Sequence, residues 1–262
     1  MAGKTGAIAA FLLVIVLFVA GVLLWSERGQ MAGKNVNATE ECSDSAVIVI
    51  DPGHGGFDGG ASASDGTAEK DINLQISMQL KKVMEEYPVK VIMTRQEDVA
   101  LNPSEGNIRS MKRQDLQQRR RIIDEVQPDL AVSIHLNNYK ADASVYGAQV
   151  FYPKGEQKRT DMERCEQTSK NFAEAVQKSL EINISDGRER TAMEKNDILI
   201  FENPTCPMIL VECGFLSNQN ELNKLKMAEY QRKLAYAIWE GIDEILCLEK
   251  GEKMKIIDSA NR

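Results

Sequence analysis

The stretch VIVIDPGHGG, residues 47–56, decides the fold that we expect for this chain. Four branched apolar residues run into a turn that holds His54, one of only two histidines among 262 residues. The other, His135, ends a similar apolar run in DLAVSIHLNN, residues 129–138. Short apolar runs bounded by glycine or polar residues are typical of buried strands. Both histidines are therefore predicted at the ends of buried strands.

Strand-like and helix-like patterns alternate from Ala46 onward, with no internal repeat. The pattern predicts strands over 46–51, 89–95, 129–136, 148–152 and 207–215, and helices over 71–87, 116–127, 165–182 and, as one long stretch, 220–248. Alternation of this kind favours an α/β fold: a mainly parallel, twisted sheet with helices on both faces.

The N-terminal segment differs from the rest of the chain. Residues 7–24, AIAAFLLVIVLFVAGVLL, lack charged side chains, and about 20 such residues suffice to span a bilayer as a helix. We expect residues 1–25 to be a membrane anchor with Lys4 inside, and the polar residues 26–45 to be a flexible stalk. The alternative is a cleaved secretory signal. Under both interpretations the remaining chain is exported. With an anchor it stays attached to the membrane outside the cytoplasm, and with a cleaved signal it is secreted.

Charge and cysteine content exclude some classes of protein. The net charge of −7 and the pI near 5.1 argue against a nucleic-acid-binding protein. The five cysteines are scattered, and none forms a C-x-x-C pair, which argues against a zinc ribbon or a thioredoxin-like motif. We expect buried or unpaired thiols, although one disulfide is compatible with an exported domain.

The two histidines predict a metal site. Ligands bind beyond the carboxyl ends of the strands in an open parallel sheet, and both histidines reach that edge. Gly53, Gly55 and Gly56 allow a tight turn beside His54. Two neutral imidazoles make half of a zinc site. The alternative for each histidine alone is a hydrogen-bonded loop residue.

Glu69 is the candidate third ligand. It begins the helix that follows the first strand, so it lies at the same edge, with Thr67 as the expected N-cap. Taken alone, Glu69 could simply be favoured by the helix dipole. Two histidines and a glutamate with an open fourth position match a catalytic zinc set.

Glu212 is the candidate proton carrier. It interrupts the apolar run MILVECGF, residues 208–215, where a buried carboxylate is costly unless it is paired or functional. Successive strand residues point to opposite faces, so Cys213 should pack into the core. The chain also lacks a third histidine that could activate Cys213 as a nucleophile.

Several spaced motifs resemble the zinc-dependent N-acetylmuramoyl-L-alanine amidases, in the order of that family, from about Val47 to about Leu246. They are VIVIDPGHGGFDGGA, EKDINLQIS, VIMTRQED, RRRIIDEVQPDLAVSIHLNN, GAQVFY and PMILVECGFLSNQNE. The resemblance implies an α/β amidase domain over 46–248, followed by a polar tail over 249–262. It implies hydrolysis of the amide bond between N-acetylmuramic acid and L-alanine in peptidoglycan. It also implies Zn²⁺ at His54, Glu69 and His135, with Glu212 as the catalytic residue.

The chain departs from many family members in two ways. It carries no wall-binding repeat, and the segment between SIHLNN and AQVFY is too short for a regulatory helix with its connections. It is therefore most similar to the germination-specific, spore-cortex amidases. We expect peptidoglycan strands with stem peptides as substrate, membrane contact through residues 7–24, an accessory or targeting protein, and no nucleic acid. The alternatives are a zinc peptidase or other amide hydrolase of the cell wall, and a non-catalytic wall-binding module.

Overall fold

The computed structural model describes residues 46–102, 106–154, 160–184, 187 and 189–246. Its elements follow one another as β1 (Ala46–Pro52), α1 (Glu69–Met84), β2 (Val89–Met93), α2 (Ile108–Val126), β3 (Leu130–Asn137), β4 (Gln149–Pro153), α3 (Thr160–Ile184), β5 (Met193–Lys195), a 3-10 helix (Leu199–Phe201), β6 (Met208–Phe215), α4 (Gln219–Leu225) and α5 (Ala228–Leu246).

The described strands form one sheet in the order β2-β1-β3-β6-β4-β5. The first four strands of that order run parallel to their neighbours. β4 is antiparallel to β6, and β5 is parallel to β4. The predicted α/β class is confirmed, and the sheet is mixed because two strands at one edge run the opposite way.

Strand alternation divides the core between the two faces of the sheet. Ile48 and Ile50 pack with α1, α3 and α5 on one face. Val49 packs on the other face with Ile123 of α2 and Phe201 of the 3-10 helix. The expected helices on both faces are therefore present. The face with α2 also carries the polar ends of β1, β3 and β6.

Two local expectations were wrong. The predicted long helix over 220–248 is two helices, because α4 ends at Leu225 and the Met227 amide bonds back to the Lys224 carbonyl. Thr67 does not cap α1: Ala68 holds the N-cap position without a side-chain bond, and the Thr67 amide instead donates to Asp65. The strand predicted over 148–152 is present as β4, which runs antiparallel to β6.

The predicted anchor over 1–25, the stalk over 26–45 and the tail over 249–262 lie outside the described residues. Among the described helices, none combines the length and the apolar character needed to cross a bilayer.

Candidate metal centre

His54, Glu69 and His135 meet at the carboxyl ends of the central strands. His54 follows β1, His135 lies near the end of β3, and Glu69 is the first residue of α1. One ligand atom from each lies within 4.8 Å of the others. The structure thus brings together the three residues that the sequence predicts as metal ligands.

Glu69 is the centre of this cluster. Its Oε1 atom lies 3.2 Å from His54 Nε2 and 3.0 Å from His135 Nδ1. Its Oε2 atom accepts from the Ala61 amide at 2.8 Å, and Asn73 donates to Oε1 at 3.2 Å. Burial raises the pKa of Glu69, but the hydrogen bonds to His135 and His54 outweigh it and hold that pKa well below its usual range. Glu69 is therefore an ionised carboxylate although only 3% of it is exposed.

His54 is fixed from both sides of its ring. Its Nδ1 atom lies 2.8 Å from Asp58 Oδ2, so Nε2 faces Glu69. Burial lowers the pKa of His54, but hydrogen bonds to Asp58 and Glu69 raise it to about 9 in the metal-free protein. Lys112 lies 2.6 Å from the other Asp58 oxygen. A carboxylate behind a histidine is the usual arrangement that orients a metal-ligating imidazole.

Two glycines let the candidate ligands approach so closely. A Cβ atom on Gly53 would lie 2.3 Å from the His135 ring. Gly60 has φ +68°, and a Cβ atom there would lie 2.5 Å from Glu69 Oε2 and 2.7 Å from His54 Cδ2. Any larger residue at either position would push the ligands apart.

Glu212 lies beside the cluster on β6, in register with His135 on β3. Its Oε2 atom is buried and has no hydrogen-bond partner within the described part of the chain. Burial raises the pKa of Glu212 and the nearby Glu69 charge adds to this effect, while His135 opposes it. Glu212 is therefore a carboxyl group that can hold and release a proton next to the cluster.

Cys213 points away from this site, as predicted. It is 1% exposed in the core beneath α1, α3 and α5, and is a free thiol. Burial raises the pKa of its thiol, so Cys213 lacks the thiolate character that a nucleophile needs.

A cavity of about 330 Å³ opens beside the cluster. Its wall includes His54, His135 and Glu212 together with two lysines, Lys112 and Lys195. The apolar part of the wall consists of Leu116, Ile198, Ile200 and Leu210. A substrate in this cavity would contact both the candidate ligands and the candidate proton carrier.

A buried polar network that sequence analysis missed supports the turn around His54. Arg119, only 1% exposed, donates to Asp51 Oδ1 and the Pro52 carbonyl, both at 2.7 Å, and to the His54 carbonyl at 2.5 Å. It also pairs with Asp115 at 2.9 Å. This network holds the backbone where His54 adopts φ 62°, an uncommon conformation for a residue with a side chain.

Arg95, two residues after the end of β2, supports the same turn. It donates to the carbonyls of Pro52 and Gly53, each at 2.9 Å, and to the Lys70 carbonyl at 2.8 Å.

The sequence held one signal of the Arg119 network: Asp115 and Arg119 have the i,i+4 spacing of an ion pair on a helix. However, Arg119 is the first of three consecutive arginines, and the sequence does not show which of them is buried.

The donor set suits a metal ion. Two imidazole nitrogens and one carboxylate, with Asp58 behind His54, are the ligands and the second-layer contact that zinc sites use. The buried, unpaired Glu212 oxygen next to them fits a position where water and a substrate would be handled.

Comparison with known proteins agrees with this geometry. A sequence profile of the N-acetylmuramoyl-L-alanine amidase family matches residues 48–244. The germination-specific N-acetylmuramoyl-L-alanine amidase of Bacillus subtilis (strain 168) is 35% identical over 198 residues, covering 75% of this chain and 78% of that protein.

Solved structures show the same fold. The CwlD amidase from Clostridioides difficile, in complex with the GerS lipoprotein, superposes with a TM-score of 0.70 at 36% identity, covering 77% of this chain and 98% of that chain. The N-acetylmuramoyl-L-alanine amidase from Clostridium difficile 630 has a TM-score of 0.64 at 30% identity, covering 80% and 100%. Because the profile match spans nearly all described residues and these relatives align over most of their length, this chain belongs to the N-acetylmuramoyl-L-alanine amidase family.

Proposed function

We propose that His54, Glu69 and His135 bind one zinc ion, and that the chain uses it to hydrolyse the amide bond between N-acetylmuramic acid and L-alanine in peptidoglycan. The family shows the reaction class. The observation that carries the residue assignment is the meeting of these three donors within 4.8 Å, beside the buried and unpaired Glu212 oxygen.

When bound, zinc supplies Lewis-acid chemistry: it lowers the pKa of water and polarises a carbonyl oxygen. Glu212 accepts the proton of the attacking water and then delivers one to the leaving L-alanine nitrogen. Its position supports both steps, because Glu212 and the ligand histidines line one cavity. Asp58 holds the His54 ring so that Nε2 faces the metal position.

The same proposal extends to the biological setting. The similarity to a germination-specific amidase supports a role in maturing the spore cortex for germination. The CwlD amidase of Clostridioides difficile was solved with the GerS lipoprotein, which supports an accessory protein for this chain too. We place the catalytic domain outside the cytoplasm, tethered through residues 7–24.

Product analysis tests the reaction directly. The purified full-length chain, loaded with zinc, is incubated with peptidoglycan, and the new chain ends are identified. We expect released peptides with free N-terminal L-alanine and glycan strands without stems. New ends within the stem peptides would instead identify a peptidase. Binding to peptidoglycan with no new ends, in protein that contains zinc, would identify a wall-binding module. Protein treated with a chelator is the control, and activity should return when zinc is added.

A further inference from the structure

Lys195 places a positive charge on the same cavity wall as Glu212. Both residues line the cavity beside the metal cluster. Strand β4 lies between β6 and β5. Glu212 of β6 is in register with Gln149 of β4, and Lys195 of β5 is in register with Pro153 of β4. Since Gln149 and Pro153 are an even number of residues apart on β4, both side chains belong to the same face of the sheet.

The lysine and arginine side chains that line the cavity with Lys195 are already paired with carboxylates. Arg119 pairs with Asp51 and Asp115, and Lys112 pairs with Asp58 at 2.6 Å. Among the described residues, no carboxylate lies within salt-bridge distance of Lys195, whose Nζ atom instead sits 4.7 Å from the centre of the Phe151 ring. Lys195 is half-buried, so this ammonium group is available to an anionic ligand in the cavity.

The ligand that reaches Lys195 follows from the position of Glu212. In the proposed reaction Glu212 gives a proton to the L-alanine nitrogen, so the stem peptide must continue from Glu212 along the cavity. β5 lies two strands from β6, about 10 Å across the sheet, and the residue of β4 that pairs with Lys195 lies four positions from the one that pairs with Glu212, about 13 Å along the strand. The two Cα atoms are therefore about 16 Å apart. L-alanine, the next stem residue and the extended side chains of Glu212 and Lys195 together cover such a span. The stem residue after L-alanine is a glutamate linked through its γ-carboxyl, and its α-carboxylate is free unless it is amidated.

We propose that Lys195 binds the free α-carboxylate of the second stem residue, so that the cavity selects stems that carry this charge. The apolar wall formed by Leu116, Ile198, Ile200 and Leu210 would contact the aliphatic part of the same residue. This inference rests on the proposed function and adds a specificity-determining residue to it.

Two substrates separate this proposal from other roles of Lys195. They are muropeptides that differ only at the second stem residue, which is either γ-linked glutamate or its α-amide. We expect the zinc-loaded full-length chain to prefer the free carboxylate by about five- to tenfold in kcat/KM, the scale of a partly exposed charge pair. Lys195→Met should bring the two values within about twofold of each other, because the charge that distinguishes them is gone.

Two further variants control the experiment. Lys195→Arg keeps a cation and should keep the preference. Lys154→Met removes a positive charge next to β4, from an exposed side chain outside the cavity, and should behave like the wild type. Equal losses on both substrates in Lys195→Met would overturn the proposal, since Lys195 would then act on the reaction itself. Equal cleavage of both substrates by the wild type would also overturn it and leave the amidase function standing. Cleavage of neither substrate would count against the function.

Discussion

At the scale of single residues, the site depends on how its three donors are oriented. Asp58 bonds the Nδ1 atom of His54, and so it decides which nitrogen faces the proposed metal position. The sequence predicts the donors themselves, because two histidines and a glutamate stand at strand and helix ends. It does not predict the role of Asp58, because the four residues that separate it from His54 form a loop whose path no local pattern reveals. It does not predict the role of Arg119, because most of its partners are Asp51 and backbone carbonyls far along the chain.

Asp58→Asn should weaken zinc binding about 10- to 100-fold, the usual cost of removing the group behind a ligand histidine. The fold should remain, because Asn fits the same space. Asp65→Asn is the matched control: Asp65 lies in the same loop and pairs with Lys226 on the surface, away from the cluster. The measurement is the zinc affinity of both variants in competition with a chelator. Equal affinities in the two variants would show that Asp58 does not orient His54.

Zinc affinity should also depend on pH. The pKa of His54 is raised to about 9 in the metal-free protein, so below that pH a proton must leave His54 before zinc can bind. The apparent zinc affinity should therefore rise about tenfold per pH unit from about pH 7 to about pH 9. The same competition titration across this range provides the measurement. An affinity that stays flat between these values would contradict the protonated state of His54.

At the scale of elements, α2 supports the site through one buried ion pair. Arg119 reaches from α2 to Asp51 at the end of β1. Burial raises the pKa of Asp51, but the charge of Arg119, together with hydrogen bonds from Thr94 and Ser133 and the nearby His135, outweighs it, and the pKa lies below its usual value. Arg119→Met leaves Asp51 buried without its partner and should lower the free energy of unfolding by about 3–5 kcal/mol.

Arg113→Met controls for the loss of an arginine from the same helix, since Arg113 is exposed, and it should change stability by no more than about 0.5 kcal/mol. Urea unfolding of the metal-free proteins measures both. If Arg119→Met fails to fold, Arg119→Lys takes its place, because lysine keeps the charge but loses the planar fork. The free energy of unfolding of Arg119→Lys should lie between that of the wild type and the value expected for Arg119→Met. Equal stability of Arg119→Met and Arg113→Met would show that the ion pair does not support the turn.

Elements with strong patterns were predicted, and those set by tertiary contacts were not. β1, β3 and β6 are continuous apolar runs, and their ends carry the site. β5 has only three residues, too few for a periodic pattern, and it pairs because β4 is beside it. The antiparallel direction of β4 depends on the path of the loop that joins β3 to β4, which no local pattern reveals.

At the scale of the whole molecule, the catalytic domain and the N-terminal segment are predicted to act separately. Residues 7–24 are uniformly apolar, whereas a helix on the surface of a soluble domain is apolar on one side only. The full-length chain should therefore sediment with membranes, and a chain that starts at residue 46 should be soluble and bind zinc. A mature protein that begins beyond residue 25 would show that the segment is a cleaved signal.

The division of roles between the two glutamates tests the proposed mechanism most directly. Glu212→Gln and Glu69→Gln are compared for zinc content and peptidoglycan cleavage. We expect Glu212→Gln to keep its zinc and lose about 10²- to 10⁴-fold in turnover, since glutamine cannot accept the proton. Glu69→Gln should lose zinc first, because a neutral amide is a poorer zinc ligand than a carboxylate. Loss of zinc from Glu212→Gln with retention in Glu69→Gln would reverse the two roles, and normal cleavage by Glu212→Gln would contradict the mechanism.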